Sequence, residues 1–275
     1  MVPTKDSAET IEQCLTSINA QTVPVRTIVV DNYSTDGTAK VARSLGCDVL
    51  IAGPERSRQR NVGAAAALTD WVLFIDSDMK LEPGVVESCV RACEEEGAQA
   101  AVIPELAVGE GWLARSRALE KECYLGDPLM EAARFYSRDS FMLLGGYDES
   151  ILAGPEDWEL PARLQKSGGR IARGDAVVWH IEGRIDLGKC YRTKRYYGMA
   201  VDRYKTLHPD RAGRQFSPLR SAFIRNWKRL VTRPDLTAGL VVLKAVEYAG
   251  LTAGVRRSRK LRSESVALDE GTPSR

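Results

Sequence analysis

The chain has 275 residues, 44% of them apolar, with 39 Lys and Arg against 37 Asp and Glu. This is enough for one large domain or two small ones and excludes a chain disordered throughout. The net charge of +2 hides an asymmetry: residues 1–180 hold 18 basic and 28 acidic side chains, net −10, and residues 181–275 hold 21 and 9, net +12. An acidic body joined to a basic third is expected to face two kinds of partner.

In chain order, residues 8–19 predict a helix, with Ser7 as N-cap and Ile11, Leu15 and Ile18 on one face. Residues 25–31 are β-branched and predict a strand. The turn Ser34-Thr35-Asp36-Gly37 opens a helix toward Leu45. A strand over 48–52, a helix over 58–67 and a continuously apolar strand over 71–75 follow. Pro83 starts a helix that runs to Glu95, and 100–104 is a further strand. Strands spaced by helices imply a parallel sheet covered on both faces. Beyond it, 111–124 predicts a helix, 134–137 a strand, Gly145-Gly146 a turn, 155–166 a helix, and 176–179 a strand ending at His180. From Leu187 the pattern is helical, broken near Pro209, Pro218 and Pro234, and the polar residues 263–275 predict disorder. Six cysteines form no Cys-x-x-Cys pair and predict free thiols in a reducing, cytoplasmic setting. No basic-then-apolar run opens the chain, so no secretory signal is expected. Lys244 and Glu247 interrupt the apolar stretch 236–255 and argue against a membrane span.

The strongest chemical signal is Phe74-Ile75-Asp76-Ser77-Asp78, two carboxylates directly after a buried strand. Ligands of open parallel sheets bind beyond such strand ends, and adjacent carboxylates there suit a hard divalent ion, Mg²⁺ or Mn²⁺. A helix cap or an acidic turn is the plain alternative. Glu156-Asp157 precedes Trp158. The pair either favours a helix dipole or supplies a general base beside an aromatic platform. His180 is one of two histidines and a candidate ligand. Asp31 closes a strand, and Arg56, Arg58 and Arg60 alternate before Asn61-Val62-Gly63, a spacing that suits diphosphate as well as a solvated loop.

Together these pieces resemble the family-two glycosyltransferases of the GT-A fold. The likeness runs from Val2 to about Glu182. It includes Val2-Pro3-Thr4, Val30-Asp31-Asn32-Tyr33-Ser34-Thr35-Asp36-Gly37, Arg60-Asn61-Val62-Gly63, Ile75-Asp76-Ser77-Asp78, Gly145-Gly146-Tyr147-Asp148-Glu149 and Glu156-Asp157-Trp158. The resemblance implies an α/β, Rossmann-like, mostly parallel sheet with flanking helices over 1–182, followed by a basic helical extension over 183–262 and the tail 263–275. It implies that Asp31 recognises a nucleobase in a pocket lined by Pro3 and Thr4. Arg60 would lie near the base or diphosphate, and Asp76 near the ribose. Asp78, with His180, would hold Mn²⁺ or Mg²⁺. Asp157 would deprotonate the acceptor, with Glu156 and Trp158 beside it. The implied reaction is inverting, metal-dependent and non-processive transfer from a UDP- or GDP-sugar to a saccharide or lipid-linked acceptor, in cell-envelope synthesis. Non-processivity follows from the absence of Gln-x-x-Arg-Trp after Asp157. Only Met1 and Val2 stand where the family's first strand has several apolar residues.

The rival to an enzyme is a degenerate sugar-nucleotide-binding protein at a membrane surface, against which the intact Asp76, Asp78, Asp157 and His180 speak. Arg220, Arg225, Lys228, Arg229 and Arg233 precede the apolar stretch 236–255, and Arg256, Arg257, Arg259, Lys260 and Arg262 follow it. Either an anionic membrane surface at the inner face or a second copy of the chain in a homodimer suits that arrangement. Nucleic acid does not, because no recognition motif is present.

Overall fold

The computed structural model describes residues 1–152 and 154–270. The first part runs β1 (Val2–Thr4), α1 (Ile11–Asn19), β2 (Ile28–Asp31), α2 (Thr38–Ser44), β3 (Asp48–Ile51), α3 (Arg56–Ala66), β4 (Trp71–Leu73), β5 (Met79–Leu81), α4 (Val85–Glu96) and β6 (Ala100–Val102). The middle continues with β7 (Glu105–Glu110), α5 (Gly111–Tyr124), β8 (Ala133–Ser137), α6 (Arg138–Leu143), α7 (Glu156–Lys166), β9 (Ile171–Arg173) and β10 (Val178–Arg184). Six helices complete the described chain: α8 (Leu187–Gly198), α9 (Val201–Leu207), α10 (Pro209–Gln215), α11 (Ser221–Arg225), α12 (Trp227–Val231) and α13 (Pro234–Glu270). Prolines open α10 and α13, where their missing N–H costs nothing. Residues 263–270, for which composition predicts disorder, continue α13; residues 271–275 of that predicted tail lie outside the described residues.

β1, β2 and β3 pair in parallel. Met1 lays β1 against β4: its amino group donates to the Leu73 carbonyl at 2.8 Å, and its own carbonyl accepts from the Ile75 N–H at 3.1 Å. The short first strand therefore still bridges to the next. Beyond β4 the order is β8, β6, β9, and β8 runs antiparallel to both neighbours. The sheet is thus mostly parallel, as expected, and mixed only where β8 returns between β4 and β6 after α5. Side-chain alternation covers both faces. Val29, Ile75 and Phe135 enter one apolar cluster, and Val30, Phe74 and Tyr136 the other.

A second small sheet places β10 between β5, antiparallel, and β7, parallel. The predicted strand end at His180 is therefore a strand interior: β10 continues to Arg184.

The C-terminal helices are packed onto the body. α13 crosses α8 closely through glycines. A Cβ on Gly250 would stand 2.5 Å from the Tyr191 carbonyl, and one on Gly254 would stand 2.9 Å from Gly198 Cα and collide with the Arg195 carbonyl. By length and composition Pro234–Glu264 could cross a membrane, with a mean hydropathy of 1.4 in its most apolar window, a third of it buried. Its two interrupting charges turn inward. Lys244 and Glu247 join Arg117 and Glu120 of α5 in a buried network, with Arg117 donating to both glutamates at 2.5–2.6 Å.

Candidate active site

The motif loops are tied to one another before any ligand is considered. Asp36 accepts from the Ala8 and Thr38 N–H groups at 2.9 and 3.0 Å, and Asp6 accepts from Thr35 N–H at 2.8 Å. Lys5 donates to the carbonyls of Asn32 and Tyr33. These bonds lock the loop after β1 to the loop after β2. The register sets Pro3 opposite Val30 and Thr4 opposite Asp31. Asp31 is buried, its Oδ2 accepts from Ser34 N–H at 2.9 Å, and its Oδ1 has no partner. Thr4 Oγ1 is also buried and without one. Two unsatisfied polar atoms at adjacent strand ends are what a polar ligand edge would complete.

The Arg60-Asn61 and Gly145-Gly146-Tyr147 motifs meet as one clasp. Asn61 donates to the Tyr147 carbonyl at 3.0 Å and accepts from the Tyr147 N–H at 2.8 Å. Gly146 adopts φ +69, and a Cβ there would stand 2.5 Å from Asn61 Oδ1, so glycine is required. Arg60 lies 5.0 Å above the Tyr147 ring. Its guanidinium is fully buried, 2.5 Å from Asp157 and 3.0 Å from Asp76. Arg60 is therefore spent on two carboxylates and does not line the cleft; Arg56 does.

Asp76 is held by Arg134 at 3.1 Å as well as by Arg60. Burial opposes its ionisation, but the two guanidiniums win and hold the carboxyl far below its usual range. Asp157 follows the same balance: burial raises it, Arg60 and Arg56 lower it further, and it is ionised with about a fifth of its side chain exposed. Glu156 is buried against Arg56 at 2.9 Å, and burial, aided by Asp157, outweighs Arg56 and pushes its pKa up. The neighbours thus diverge, with Glu156 structural and Asp157 facing the cleft. Trp158 lines the cleft, packs edge-on against Phe216 with centroids 5.8 Å apart, and donates from its indole to the Met130 carbonyl.

Asp78 and His180 come together across β5 and β10. His180 Nε2 lies 3.2 Å from Asp78 Oδ2, and Nδ1 lies 3.1 Å from Glu105 Oε1. Burial would lower the imidazole pKa, but the bonds to Asp78 and Glu105 overcome it and raise it to about 10. Asp78 Oδ1 is buried with no protein partner. An orphaned carboxylate oxygen beside an imidazole nitrogen fits a divalent ion in place of the imidazolium proton. Among the described residues, no group of three or more His, Cys, Asp and Glu has metal-binding geometry. The protein would supply two ligands, and phosphate and water the rest.

Two residues outside every motif complete the site. Arg134 of β8 bridges Asp76 and Glu105, and Glu105 orients the His180 ring while pairing with Lys121. Glu105 follows the predicted strand 100–104, the strand-end position that drew attention to Asp76, so that signal was present. An open cleft of about 1320 Å³ gathers Asp76, Asp78, Arg134, Asp157, Trp158 and His180, and its far wall comes from α8 and α13.

Mixed sheets with flanking helices and a C-terminal helix are the architecture of the GT-A glycosyltransferases, which the solved structures below share. The chain belongs to glycosyl transferase family 2, whose model matches residues 1–144. Its backbone resembles the mannosyltransferase PcManGT of Pyrobaculum calidifontis, solved with GDP-Man and Mn²⁺, at TM-score 0.63 and 17% identity over 92% of this chain and 85% of that one. S. aureus TarS 1-349, solved with UDP, gives 0.54 at 17% identity over 96% and 90%. In sequence the chain is 29% identical over 234 residues to the pre-mycofactocin glycosyltransferase of Mycobacterium tuberculosis, covering 77% of this chain. It spans about half the length of that relative, 48%. It is 26% identical over 245 residues to the succinoglycan biosynthesis protein ExoA of Rhizobium meliloti, covering 80% of this chain and 73% of that one.

Proposed function

We propose that the chain transfers a sugar from a nucleoside-diphosphate donor to an acceptor hydroxyl, non-processively and with inversion, using Mn²⁺ or Mg²⁺. The observation that carries this reading is the shared cleft of Asp78, His180 and the ionised Asp157. The donor would be a UDP- or GDP-sugar, as found in the related TarS and PcManGT structures. Asp31, Pro3 and Thr4 would receive the nucleobase and Asp76 the ribose, while Arg56 offers the cation first sought in Arg60. Asp78 and His180 would hold the cation, which would offset charge on the departing diphosphate. Asp157 would take the acceptor proton from the face opposite the leaving group, and one such base suffices for inversion. Arg60 keeps that base ionised while lowering its basicity. Residues 1–182 would hold the donor and the 183–262 extension would close the acceptor side. The acceptor would be a saccharide or a lipid-linked saccharide, in keeping with one relative named for succinoglycan biosynthesis.

The test is thermal stabilisation by UDP- and GDP-sugars with and without Mn²⁺, followed by sugar transfer or donor hydrolysis. Asp78→Asn is expected to remove the metal-dependent part of the stabilisation. Asp157→Asn should keep donor binding and lose roughly 10²–10⁴-fold in rate. An Asp157→Asn variant as fast as the parent defeats the base assignment. A parent stabilised by donor that never turns over favours the sugar-nucleotide-binding protein.

A further inference from the structure

α13 has its polarity reversed for a surface helix. Lys244 is half-buried and Glu247 is buried, both directed into the α5 network, while Ala238, Val241, Val242, Ala245, Ala249 and Thr252 face outward. Over those four turns the exposed side carries no charge, and Val241 is 63% exposed. A helix on a water-facing surface shows the opposite arrangement. The preceding segment repeats the pattern. In α11 and α12, Phe223 and Leu230 pack toward Leu119, Cys123 and Leu236, whereas Ile224, Trp227 and Val231 lie three and four residues apart on the outer side at 59, 55 and 61% exposure. Leu219 just before them is exposed as well. Contiguous large apolar side chains left in water mark a contact surface.

Charge identifies the occupant. Arg225, Lys228 and Arg229 are exposed among the apolar residues of α11 and α12, and Arg256, Arg257 and Lys260 are exposed directly beyond the apolar run of α13. Arg225 pairs with Asp127 at 2.5 Å and Arg229 with Glu122 at 3.0 Å, whereas Lys228, Arg256 and Arg257 have no carboxylate partner among the described residues, and over 219–260 the chain itself holds only Asp235 and the buried Glu247. A tryptophan with apolar neighbours between arginines and lysines suits the headgroup boundary of an anionic bilayer. Arg220, which the sequence places in this basic set, is withdrawn from it, because its guanidinium stacks over Tyr124 in the cleft wall.

We infer that the outer face of α11, α12 and α13 docks on the surface of an anionic phospholipid membrane. The inference concerns binding and stands whether or not the reaction proposed above is correct.

The test is co-sedimentation of the full chain with phosphatidylcholine vesicles with and without phosphatidylglycerol, at low and high salt. Binding is expected only with phosphatidylglycerol, weakening as salt rises. The variant Ile224→Ser/Trp227→Ser/Val231→Ser alters exposed side chains, so its thermal midpoint should match the parent while vesicle binding falls at least about tenfold. A second variant, Lys228→Glu/Arg256→Glu/Arg257→Glu, should lose the phosphatidylglycerol dependence. The inference is overturned by a parent that stays in solution with either vesicle, or by a serine variant that binds as well as the parent. It is equally overturned by light scattering that shows a dimer dissolved by the serine substitutions in a protein that ignores vesicles, which would assign the face to a second copy.

Discussion

Arg60 is the side chain on which the most depends. It is fully buried, ties Asp76 to Asp157, and lies over Tyr147. Replacing it by methionine leaves two carboxylates without their shared cation in a desolvated place. Arg60→Met is expected to cost roughly 3–5 kcal/mol in chemical denaturation and to raise the pKa of Asp157. Arg60→Lys keeps the charge but loses the two-sided fork, so it should recover only part of that stability. The sequence made Asp31, Asp76, Asp78, Asp157 and His180 legible, because each stands in or beside a motif. It misplaced Arg60, since a spacing of alternate arginines carries no information about which one turns inward. Arg134 and Glu105 were not found. Glu105 stood at a strand end that the pattern offered, whereas Arg134 is one charged residue beside an apolar run that only the fold brings to the site.

At the scale of elements, long periodic segments were legible and short ones were not. The helices over 11–19, 85–96 and 111–124 follow their apolar spacing closely. β5 and β9 are three residues each and had no signal above the surrounding loops. The second sheet was hidden for the same reason: β7 looks like the tail of the strand before it, and β10 loses its apolar pattern after His180. The seam between α8 and α13 is a different case, since its glycines are unremarkable in a list and matter only at the crossing. Gly254→Leu is expected to force these helices apart and to lower stability by at least about 1–3 kcal/mol, read as a lower denaturation midpoint. Gly213, beside which a Cβ meets nothing, should tolerate alanine with little change.

At the scale of the molecule, the basic third and the acidic body are joined by buried charge. Glu247 is held down to about 2: burial opposes its ionisation, and Lys194, Lys244 and Arg117 overcome it. A carboxylate lowered on folding adds stability above its unfolded value near 4.5 and loses it as pH falls toward about 2. Glu247→Gln should therefore be less stable than the parent at neutral pH, and the gap between their melting curves should close on acidification from pH 5. A gap that does not change with pH would show that packing, not charge, is what Glu247 supplies.

That network also decides what could be exchanged between relatives. One end of the cleft is made by loops before residue 80, and the opposite wall by helices after residue 186. A chimera that borrowed only the C-terminal helices would bring Lys244 and Glu247 without the Arg117 and Glu120 that they pair with. The smallest transplantable unit is discontinuous, α5 together with α8 and α13. If that wall receives the acceptor as proposed, variation in acceptor preference is expected to track a residue set interrupted by the strands between α5 and α8.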